Sequence, residues 1–494
     1  MRSARRVLVA GLTAGAVVAL FEAAARSLVG IPLPAELFSD WFLPMLPVDT
    51  FLSFLGRLGG PLTAKVLAFW GAFVFIVVAV VVASVGWWWL RRHRWGSAVA
   101  LGAVVIVGVV VLVVLFPVFI ANYAGLPEPW AAITSAAGLV AALAIAIVLI
   151  RMLDPASQEF SSSRRELLTA GAGFVALAAT GGLAIRLFQD GTFTYDGTRL
   201  AGIGRTPITP VGRFYIVTKN LIDPNIAEPV WRLEVDGLVG EPFSLAGGEL
   251  RALPAQTQET TLECISNGVG YGLLSNAVWT GPTLRSLVER ARPSANARFV
   301  ELQSADGYIS TLPLDQAMRK EVMVAHAMNG APLTRRHGAP ARAIVPGVYG
   351  EGNPKWLTRI TLRDRDLPGY YARQGWRNTF VETTSVIDWP SRNQLVQAGT
   401  AVMVTGVAFA GDRGVSRVEI STDDGQSWLP ARLTYAPSPL AWVLWTADWT
   451  PDQSGMVMLT VRAYDGTGTL QETNPRGFAP AGAAGLHRVE VRVV

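Results

Sequence analysis

Long apolar runs dominate the first third of the chain. Five of them are long enough to cross the hydrocarbon core of a membrane, which takes about 20 residues in a helix. These runs cover residues 7–29, 62–90, 97–120, 130–150 and 167–187. The pattern predicts a helical membrane anchor of about five spans over residues 1–190.

Charge in the short loops predicts how this anchor is oriented. Arginines cluster before the first run, between the second and third, and between the fourth and fifth, at 2–6, 91–94 and 151–165. The alternate loops, 31–60 and 122–129, carry mainly acidic residues. Because basic loops stay on the cytoplasmic side, we expect the N-terminus in the cytoplasm. The rest of the chain after the last run is then expected outside the cytoplasmic membrane.

A pair of arginines precedes the last apolar run. Ser163, Arg164 and Arg165 stand directly before a stretch rich in Gly and Ala, which resembles a twin-arginine export signal. Such a signal would move a folded domain across the membrane with its metal centre already assembled. Plain positive-inside anchoring explains the same arginines, so both interpretations stay open.

Beyond residue 190 the pattern changes to short alternating runs separated by Gly, Pro and Asp. Strand-like runs occur at 214–217, 231–239, 298–310 and 356–362, and helix-like runs occur at 284–292 and 314–319. This mixture predicts an α+β domain over residues 191–378.

From residue 379 the helix-like runs stop. Residues 401–410, 416–428 and 457–465 alternate apolar and polar positions, with turn signals every 8–12 residues. Within the second of these segments, Asp423-Asp424-Gly425 is a strong hairpin signal. Alternation broken by turns in this way predicts a β-sandwich of immunoglobulin-like size over residues 379–494. Its expected role is packing, association or dimerisation.

Composition narrows the classes of function. The net charge is only +5 and the basic residues are scattered, whereas nucleic-acid binding needs a basic stripe interleaved with aromatics. The four histidines lie outside the five apolar runs and the chain has no Cys-x-x-Cys-His motif, so haem is not expected. A transporter would carry charged or broken positions within its spans, and these are scarce.

Cys264 is the only cysteine among the 494 residues. A lone cysteine is often just a small buried hydrophobe. Cys264, however, ends the strand-like run TTLEC and is followed at once by Ser266, Asn267, Gly268 and Gly270. Such a turn presents a side chain at a strand end, where a thiolate is a soft ligand for a metal.

Three stretches together resemble the sulfite oxidase superfamily of molybdenum–molybdopterin enzymes. Cys264 stands where that family has its metal-ligating cysteine, and residues 276–281 match its N-A-x-W-x-G segment. Residues 328–350 are similar to its M-N-G-x-P-L…H-G-x-P-x-R…V-P-G pattern, and Lys355-Trp356 stand at its lysine–tryptophan pair. The C-terminal domain looks like the family's immunoglobulin-like dimerisation domain. The resemblance covers about residues 200–494 and leaves the anchor outside.

This resemblance implies a molybdenum–molybdopterin cofactor with Cys264 as the metal ligand. Molybdopterin ends in a phosphate, so the protein must also supply cationic and amide donors. The resemblance places the cofactor contacts at Tyr215, Ile216, Cys264, Ser304, His337, Arg342, Asn353, Pro354 and Lys355. Among them His337, Arg342 and Lys355 match the family's contacts to the phosphate.

Departures from the family pattern concern the substrate. Animal and plant sulfite oxidases follow the metal cysteine with C-A-G-N-R and have another arginine in an R-N-H segment, and both arginines are missing here. Lys219, in the second segment, is at most a partial substitute. Trp376 stands at the position of the family's active-site tyrosine, which makes it a candidate catalytic residue. A pocket changed in this way should hold a doubly charged oxyanion poorly, so sulfite is not the expected substrate.

The sequence therefore predicts a membrane-anchored, exported molybdopterin oxidoreductase that transfers an oxygen atom to or from a small molecule. Without haem or iron–sulfur ligands, it must exchange electrons with a separate partner, such as a cytochrome or a quinone-linked membrane protein. The C-terminal domain suggests a homodimer. The open alternatives are a sulfite dehydrogenase, a reductase of methionine sulfoxide or another S- or N-oxide, and a cofactor-free adhesion or scaffold protein.

Overall fold

A computed structural model of the chain describes residues 2–90, 102, 130–153, 162–191, 205–377 and 380–494. Four long helices make up the first part of the chain, here called the anchor after its predicted role: α1 (Arg2–Leu28), α4 (Pro61–Leu90), α5 (Trp130–Leu153) and α6 (Ser162–Asp190). All four are long and apolar enough to cross a membrane, and they coincide with four of the five predicted spans. The remaining predicted span, 97–120, lies outside the described residues apart from residue 102.

Helix α1 is the centre of the anchor and packs against α4, α5 and α6. Its small residues permit this close approach, because a Cβ atom added at Gly15 would lie 2.9 Å from the Cα of Val77 on α4. Two shorter helices, α2 (Pro34–Phe42) and α3 (Val48–Arg57), connect α1 to α4. The anchor is therefore a packed bundle with its own core.

The rest of the chain reaches into this bundle. Leu221 and Ile222 are buried in the same apolar cluster as Phe69 of α4. At the end of α1, Arg26 Nε lies 2.9 Å from Glu36 Oε2, and a second nitrogen of Arg26 donates to the carbonyl oxygen of Ile222 at 2.8 Å. Burying these groups is costly unless each is paired, so the contact fixes the end of α1 against the soluble part.

A second contact lies at the start of α3. The backbone N–H of Val48 donates to the carbonyl oxygen of Gln374, and the side-chain amide of Gln374 donates to the carbonyl oxygen of Leu43, both at 2.8 Å. The α2–α3 region therefore lies on the same side of the bundle as the soluble part of the chain.

Residues 205–377 form a β-rich domain. Its larger sheet has the order β2-β1-β11-β5-β6, with β1 and β11 parallel and the other neighbours antiparallel. The strands are β1 (Arg232–Gly237), β2 (Phe243–Ala246), β5 (Phe299–Ser304), β6 (Ile309–Pro313) and β11 (Leu357–Arg363). One face packs on a core that includes Trp231, Leu302 and Ile360.

A second, four-stranded sheet carries the cysteine. Its order is β3-β4-β8-β9, and a separate hairpin-like pair joins β7 to β10. The strands are β3 (Gln256–Glu263), β4 (Leu274–Gly281), β7 (Met323–Ala325), β8 (Ala327–Met328), β9 (Ala331–Pro332) and β10 (Arg342–Ile344). Their shared core holds Tyr215, Cys264, Trp279 and Ile344, so the cysteine and its neighbours sit between these elements.

Two expectations for this domain need correction. Residues 214–217, predicted as a strand, have no regular secondary structure, and the N–H of Tyr215 donates to the hydroxyl of Ser275 at 3.1 Å instead of to the backbone of a neighbouring strand. The domain is also richer in strands than an α+β domain, because its helices are only four to seven residues long. They are α7 (Gly247–Ala252), α8 (Leu284–Arg290), α9 (Leu314–Ala317) and α10 (Tyr370–Arg373).

Residues 380–494 form two facing sheets like a β-sandwich. One has the order β12-β14-β18-β17 and the other β13-β20-β19-β15-β16. The strands are β12 (Thr384–Trp389), β13 (Leu395–Val396), β14 (Val402–Phe409), β15 (Val415–Ser421), β16 (Leu429–Pro430), β17 (Arg432–Tyr435), β18 (Val443–Trp449), β19 (Gly455–Asp465) and β20 (His487–Val493). The predicted turn is confirmed, with positive φ at Asp424 (58°) and Gly425 (90°).

Candidate active site

Cys264 occupies a tight turn directly after β3. Its N–H donates to the carbonyl oxygen of Leu273 at 3.0 Å, and its own carbonyl accepts from the N–H of Asn267 at 2.9 Å. The Asn267 side chain closes the turn from the inside, since its amide donates to Glu263 and its oxygen accepts from the N–H of Leu273, each at 2.9 Å. The polar residues after Cys264 thus hold the thiol in a fixed place.

The thiol of Cys264 is buried and protonated in the absence of a metal. Burial raises its pKa to about 11, a hydrogen bond with Ser266 partly opposes this, and the carboxyls of Glu351 and Glu263 raise it further. Its sulfur lies 3.1 Å from the hydroxyl oxygen of Ser266. Such a thiol becomes a thiolate only when a bound cation displaces its proton, so the site suits a metal ligand better than a free nucleophile.

A basic cluster lies on the same core. Arg342 begins β10 and donates to the carbonyl oxygens of His337 and Asn353 at 3.3 and 3.1 Å. Its guanidinium carbon lies 5.0 Å from the ring centre of Trp279. Asn353 is itself fixed, because its side chain accepts from Val345 N–H at 2.7 Å and donates to a backbone carbonyl.

Lys355 and Arg342 both approach Gly338, the residue after His337, so closely that a side chain there has no room. A Cβ atom on Gly338, whose φ is +103°, would lie 2.8 Å from Cβ of Lys355 and 3.2 Å from Cβ of Arg342. This explains the His-Gly pair in the motif, since the backbone must approach both basic residues closely. Lys355 Nζ donates to the carbonyl oxygen of Arg336 at 3.3 Å.

Burial lowers the pKa of each member of this cluster. It lowers the pKa of His337 to about 4, that of Lys355 to about 8 and that of Arg342 to about 10. His337 is therefore neutral near pH 7, with its Nε2 placed 2.9 Å from the carbonyl oxygen of Val211. Neighbouring cations add to the effect at His337, which is the arrangement expected where an anion is to be bound.

These residues fit the cofactor that the resemblance implies. The Nε of Arg342 and the hydroxyl of Ser304 are buried and make no hydrogen bond to any described residue. Ser304 ends β5, and the next residue, Ala305, donates its N–H to the carbonyl of Trp356 at 2.9 Å, beside Lys355. Buried donors without partners are costly, so a bound anionic group would satisfy them.

Tyr215 links the basic cluster to the thiol. Burial raises the pKa of its hydroxyl well above the ordinary value, Cys264 raises it further and Arg342 opposes this. Its hydroxyl approaches Gly350, where a Cβ atom would lie 2.5 Å from that oxygen. Ile216 follows it and is also buried. Pro354 stands between Asn353 and Lys355 in the chain, and its carbonyl oxygen accepts from the N–H of Ala343 at 2.9 Å.

Trp376 and Lys219 lie at the edge of this site. Trp376 is buried in a cluster with Ile265, the residue after Cys264, but its ring stacks on Phe478 of the C-terminal domain at 6.2 Å between centres. Lys219 Nζ forms an ion pair with Asp40 of the anchor at 2.7 Å and lies 3.9 Å from Asp306. Burial alone would lower the pKa of Lys219, but these two carboxylates outweigh it and raise the pKa.

Sequence analysis missed the acidic and phenolic groups near the thiol. Glu351 and Tyr308 both interact electrostatically with Cys264, and the Tyr308 hydroxyl donates to the carbonyl oxygen of Glu351 at 2.9 Å. The ring of Tyr308 lies 5.8 Å from that of Tyr371. The only signal in the sequence is the position of Glu351 between two glycines, directly after the matched segment 328–350.

We expect Glu351→Gln to stabilise the protein at high pH. Burial raises the pKa of Glu351 to about 7, above that of an unfolded carboxyl. A raised carboxyl pKa means that the native state holds the extra proton, so stability is present at low pH and is lost as pH rises from about 4 through about 7. Glutamine does not titrate, so the melting temperature of the variant relative to wild type should be higher at pH 8 than at pH 5.

The exposed Glu472 supplies the control for this prediction. Hydrogen bonds from Asn474, the backbone one first, lower its pKa, so it stays ionised throughout that window. Glu472→Gln should give the same difference in melting temperature at both pH values. A Glu351→Gln difference that is equally flat would contradict a buried, protonated carboxyl at this position.

Residues 220–371 match the family described as oxidoreductase molybdopterin binding domain, and residues 378–493 match the Mo-co oxidoreductase dimerisation domain. The chain is 29% identical over 329 residues to the sulfite oxidase of Arabidopsis thaliana, covering 54% of this chain and 83% of that protein.

Two further proteins are similar over parts of the chain. Identity to an NADPH nitrate reductase of Aspergillus niger is 31% over 258 residues, covering 42% of this chain and only 30% of that longer protein. The crystal structure of the sulfane dehydrogenase SoxCD from Paracoccus pantotrophus is 26% identical, with a TM-score of 0.49, and covers 55% of this chain and 75% of that one.

Proposed function

Because the chain belongs to the sulfite oxidase superfamily of molybdopterin oxidoreductases, we propose that it transfers an oxygen atom to or from a substrate other than sulfite at the outer face of the cytoplasmic membrane. Its cofactor is molybdenum–molybdopterin, and it is an oxidoreductase, which sets aside the cofactor-free scaffold. The cofactor supplies a metal that exchanges an oxygen atom and electrons with the substrate.

The proposed roles of the site residues follow from their surroundings. Cys264 ligates the metal from a turn that fixes its direction. Arg342 and Lys355 hold the phosphate end of the cofactor, and His337 and Ser304 add neutral donors. Tyr215, Ile216, Asn353 and Pro354 shape the cavity between the two groups. Trp376 closes the side that faces the C-terminal domain.

The pairing of Lys219 with two carboxylates is the observation that argues against sulfite. This lysine is the one cation that the sequence offered in place of a missing arginine, and both Asp40 and Asp306 engage it. The groups that act electrostatically on the Cys264 thiol are carboxyls, those of Glu351 and Glu263. A dianion such as sulfite needs charge-assisted donors, and a carboxyl does not supply one.

An uncharged S- or N-oxide fits these surroundings better. Burial raises the pKa of Glu351 to about 7, so its carboxyl is partly protonated near pH 7 and can donate a hydrogen bond to a neutral oxide oxygen. The hydroxyl of Tyr308 donates to the carbonyl oxygen of Glu351 and so helps to fix that residue. Tyr370 and Tyr371 extend the phenolic surface, with their ring centres 5.1 Å apart. Reduction of methionine sulfoxide or a related oxide is thus the favoured direction, and a sulfite dehydrogenase is the second candidate.

The test is a comparison of substrates on the full chain purified in detergent. Sulfite oxidation is followed with ferricyanide, and reduction of methionine sulfoxide, dimethyl sulfoxide and trimethylamine N-oxide is followed with a reduced viologen. We expect one of the oxides to turn over with a higher kcat/KM than sulfite. Lys219→Met should leave the KM for sulfite unchanged, as should the exposed control Lys320→Met. Higher kcat/KM for sulfite, with a KM that rises in Lys219→Met alone, would overturn the substrate assignment.

Contacts between anchor and domain support the proposed orientation. The end of α1, the start of α4 and the end of α6 all contact the soluble part, through Arg26 to Ile222, Lys65 to Thr218 and Asp190 to Arg335. These are the ends that the positive-inside rule places outside. The division into anchor (1–190), cofactor domain (191–378) and immunoglobulin-like domain (379–494) belongs to the same proposal, as does export through Arg164 and Arg165.

The proposal includes two kinds of protein partner. The match of residues 378–493 to a dimerisation domain supports a homodimer. Electrons would pass to or from a separate membrane cytochrome or quinone-linked protein, for which the anchor offers a docking surface. Light scattering in detergent, at concentrations that span the expected dissociation constant, measures the first of these directly.

A further inference from the structure

Residues 218–224, here called the linking segment, join the anchor to the cofactor domain. The segment follows Tyr215 and Ile216 in the chain. Lys65, in the first turns of α4, donates from its ammonium group to the carbonyl oxygen of Thr218 at 2.5 Å. Further along, Leu221 and Ile222 are buried in the core of the anchor. The anchor therefore contacts both the backbone and the side chains of the linking segment.

The other side of the linking segment meets the basic cluster. Arg335 donates to the carbonyl oxygens of Asp223 and Pro224 at 2.5 and 3.1 Å. Arg335 also begins the short helical turn Arg335–His337, which carries His337, one member of the cluster. Displacing the segment would therefore displace the turn. The anchor contacts the linking segment, and the linking segment contacts the turn that carries His337.

Lys65 lies outside the part of the chain that the cofactor family covers. From α4 it holds the carbonyl oxygen of Thr218, and Arg335 holds the carbonyl oxygen of Asp223 in the same segment. A helix of the anchor and the turn that carries His337 therefore contact the same short piece of chain.

We propose that Lys65 is a positioning residue for the cofactor site. By holding the linking segment it keeps the turn Arg335–His337 in place for the phosphate end of the cofactor, so that the membrane anchor completes the site. The anchor then does more than fix the enzyme to the membrane, because cofactor retention depends on the contact between α4 and the linking segment. This role depends on the cofactor alone and holds whichever substrate is turned over.

The test compares three full-length variants purified in detergent from one cofactor-competent host. Lys65→Met keeps the length of the side chain and removes its charge, whereas Lys65→Arg keeps the charge. Lys320→Met makes the same change at an exposed lysine of the cofactor domain. Molybdenum and pterin are measured per chain, together with the rate at which pterin is lost on dilution. Monodispersity and melting temperature report the folded state of each protein.

We expect Lys65→Met to lose pterin about tenfold faster than wild type, the effect of one charge-assisted contact. Lys65→Arg and Lys320→Met should retain pterin like wild type. Wild-type retention in Lys65→Met would overturn the inference, and so would a loss of the same size in Lys320→Met. A change confined to the KM of an anionic substrate would also overturn it. Wild-type protein that binds pterin but turns over only sulfite would contradict the proposed substrate and leave this inference standing.

Discussion

Cys264→Ser is expected to lower turnover by more than about a thousandfold while pterin remains bound. The serine hydroxyl is a poor substitute for a thiolate, because a metal lowers the pKa of a thiol far enough to displace its proton and a hydroxyl is much less acidic. Pterin should stay because the groups assigned to its phosphate lie elsewhere, at Arg342, Lys355 and His337. Turnover and pterin content are measured on the same preparation.

A spectroscopic measurement separates loss of the ligand from loss of the fold. Molybdenum-edge X-ray absorption should show a sulfur neighbour missing in Cys264→Ser. Ser266→Ala is the matched control, since it removes the hydroxyl 3.1 Å from the same sulfur and leaves the ligand in place. Its absorption spectrum should match that of wild type. Wild-type turnover in Cys264→Ser, or an unchanged sulfur count, would contradict the assignment of Cys264 to the metal.

The fold could be predicted where one strong local pattern decides it. The spans α1, α4, α5 and α6 follow from apolar length alone, and tertiary packing has little freedom to override such runs. The strands of the C-terminal domain follow from alternation in the same way. The run at 214–217 looked equally strand-like but pairs with no described strand, because Ser275, 60 residues away, takes the N–H of Tyr215. No local pattern encodes that contact.

In the candidate site too, the residues within motifs could be predicted and the contacts between distant parts of the chain could not. The family motifs located Cys264, His337, Arg342 and Lys355, and the structure brings the last three together through backbone carbonyls and Gly338. The motifs said nothing of the anchor, since the resemblance stops short of it. Asp40 engages Lys219 across 179 positions of chain, and Lys65 meets Thr218 across 153. These pairings arise from how two parts of the chain pack, and a search for motifs within either part cannot find them.

The second large effect is expected for Arg342→Ala, which should reduce pterin content at least about tenfold. Arg342 is buried, and its guanidinium supports the carbonyl oxygens of His337 and Asn353 while its Nε is left for a bound anion. Alanine removes the charge and leaves both carbonyls without a donor. Arg342→Lys should recover only part of the loss, because an ammonium group cannot reproduce the planar fork that spans the two carbonyls.

Arg298 provides a control with the same kind of bonding in a different place. It is exposed, and its guanidinium donates to the carbonyl oxygens of Ala295 and Ala297 at 2.7 and 3.0 Å. Arg298→Ala should therefore retain the wild-type pterin content, although it too releases two carbonyls. If Arg342→Ala and Arg298→Ala lost pterin equally, the loss would reflect general weakening of the domain. If only Arg342→Ala loses pterin, the buried guanidinium holds the phosphate. The two arginines differ in burial, and Arg342 has a buried Nε that makes no hydrogen bond to a described residue.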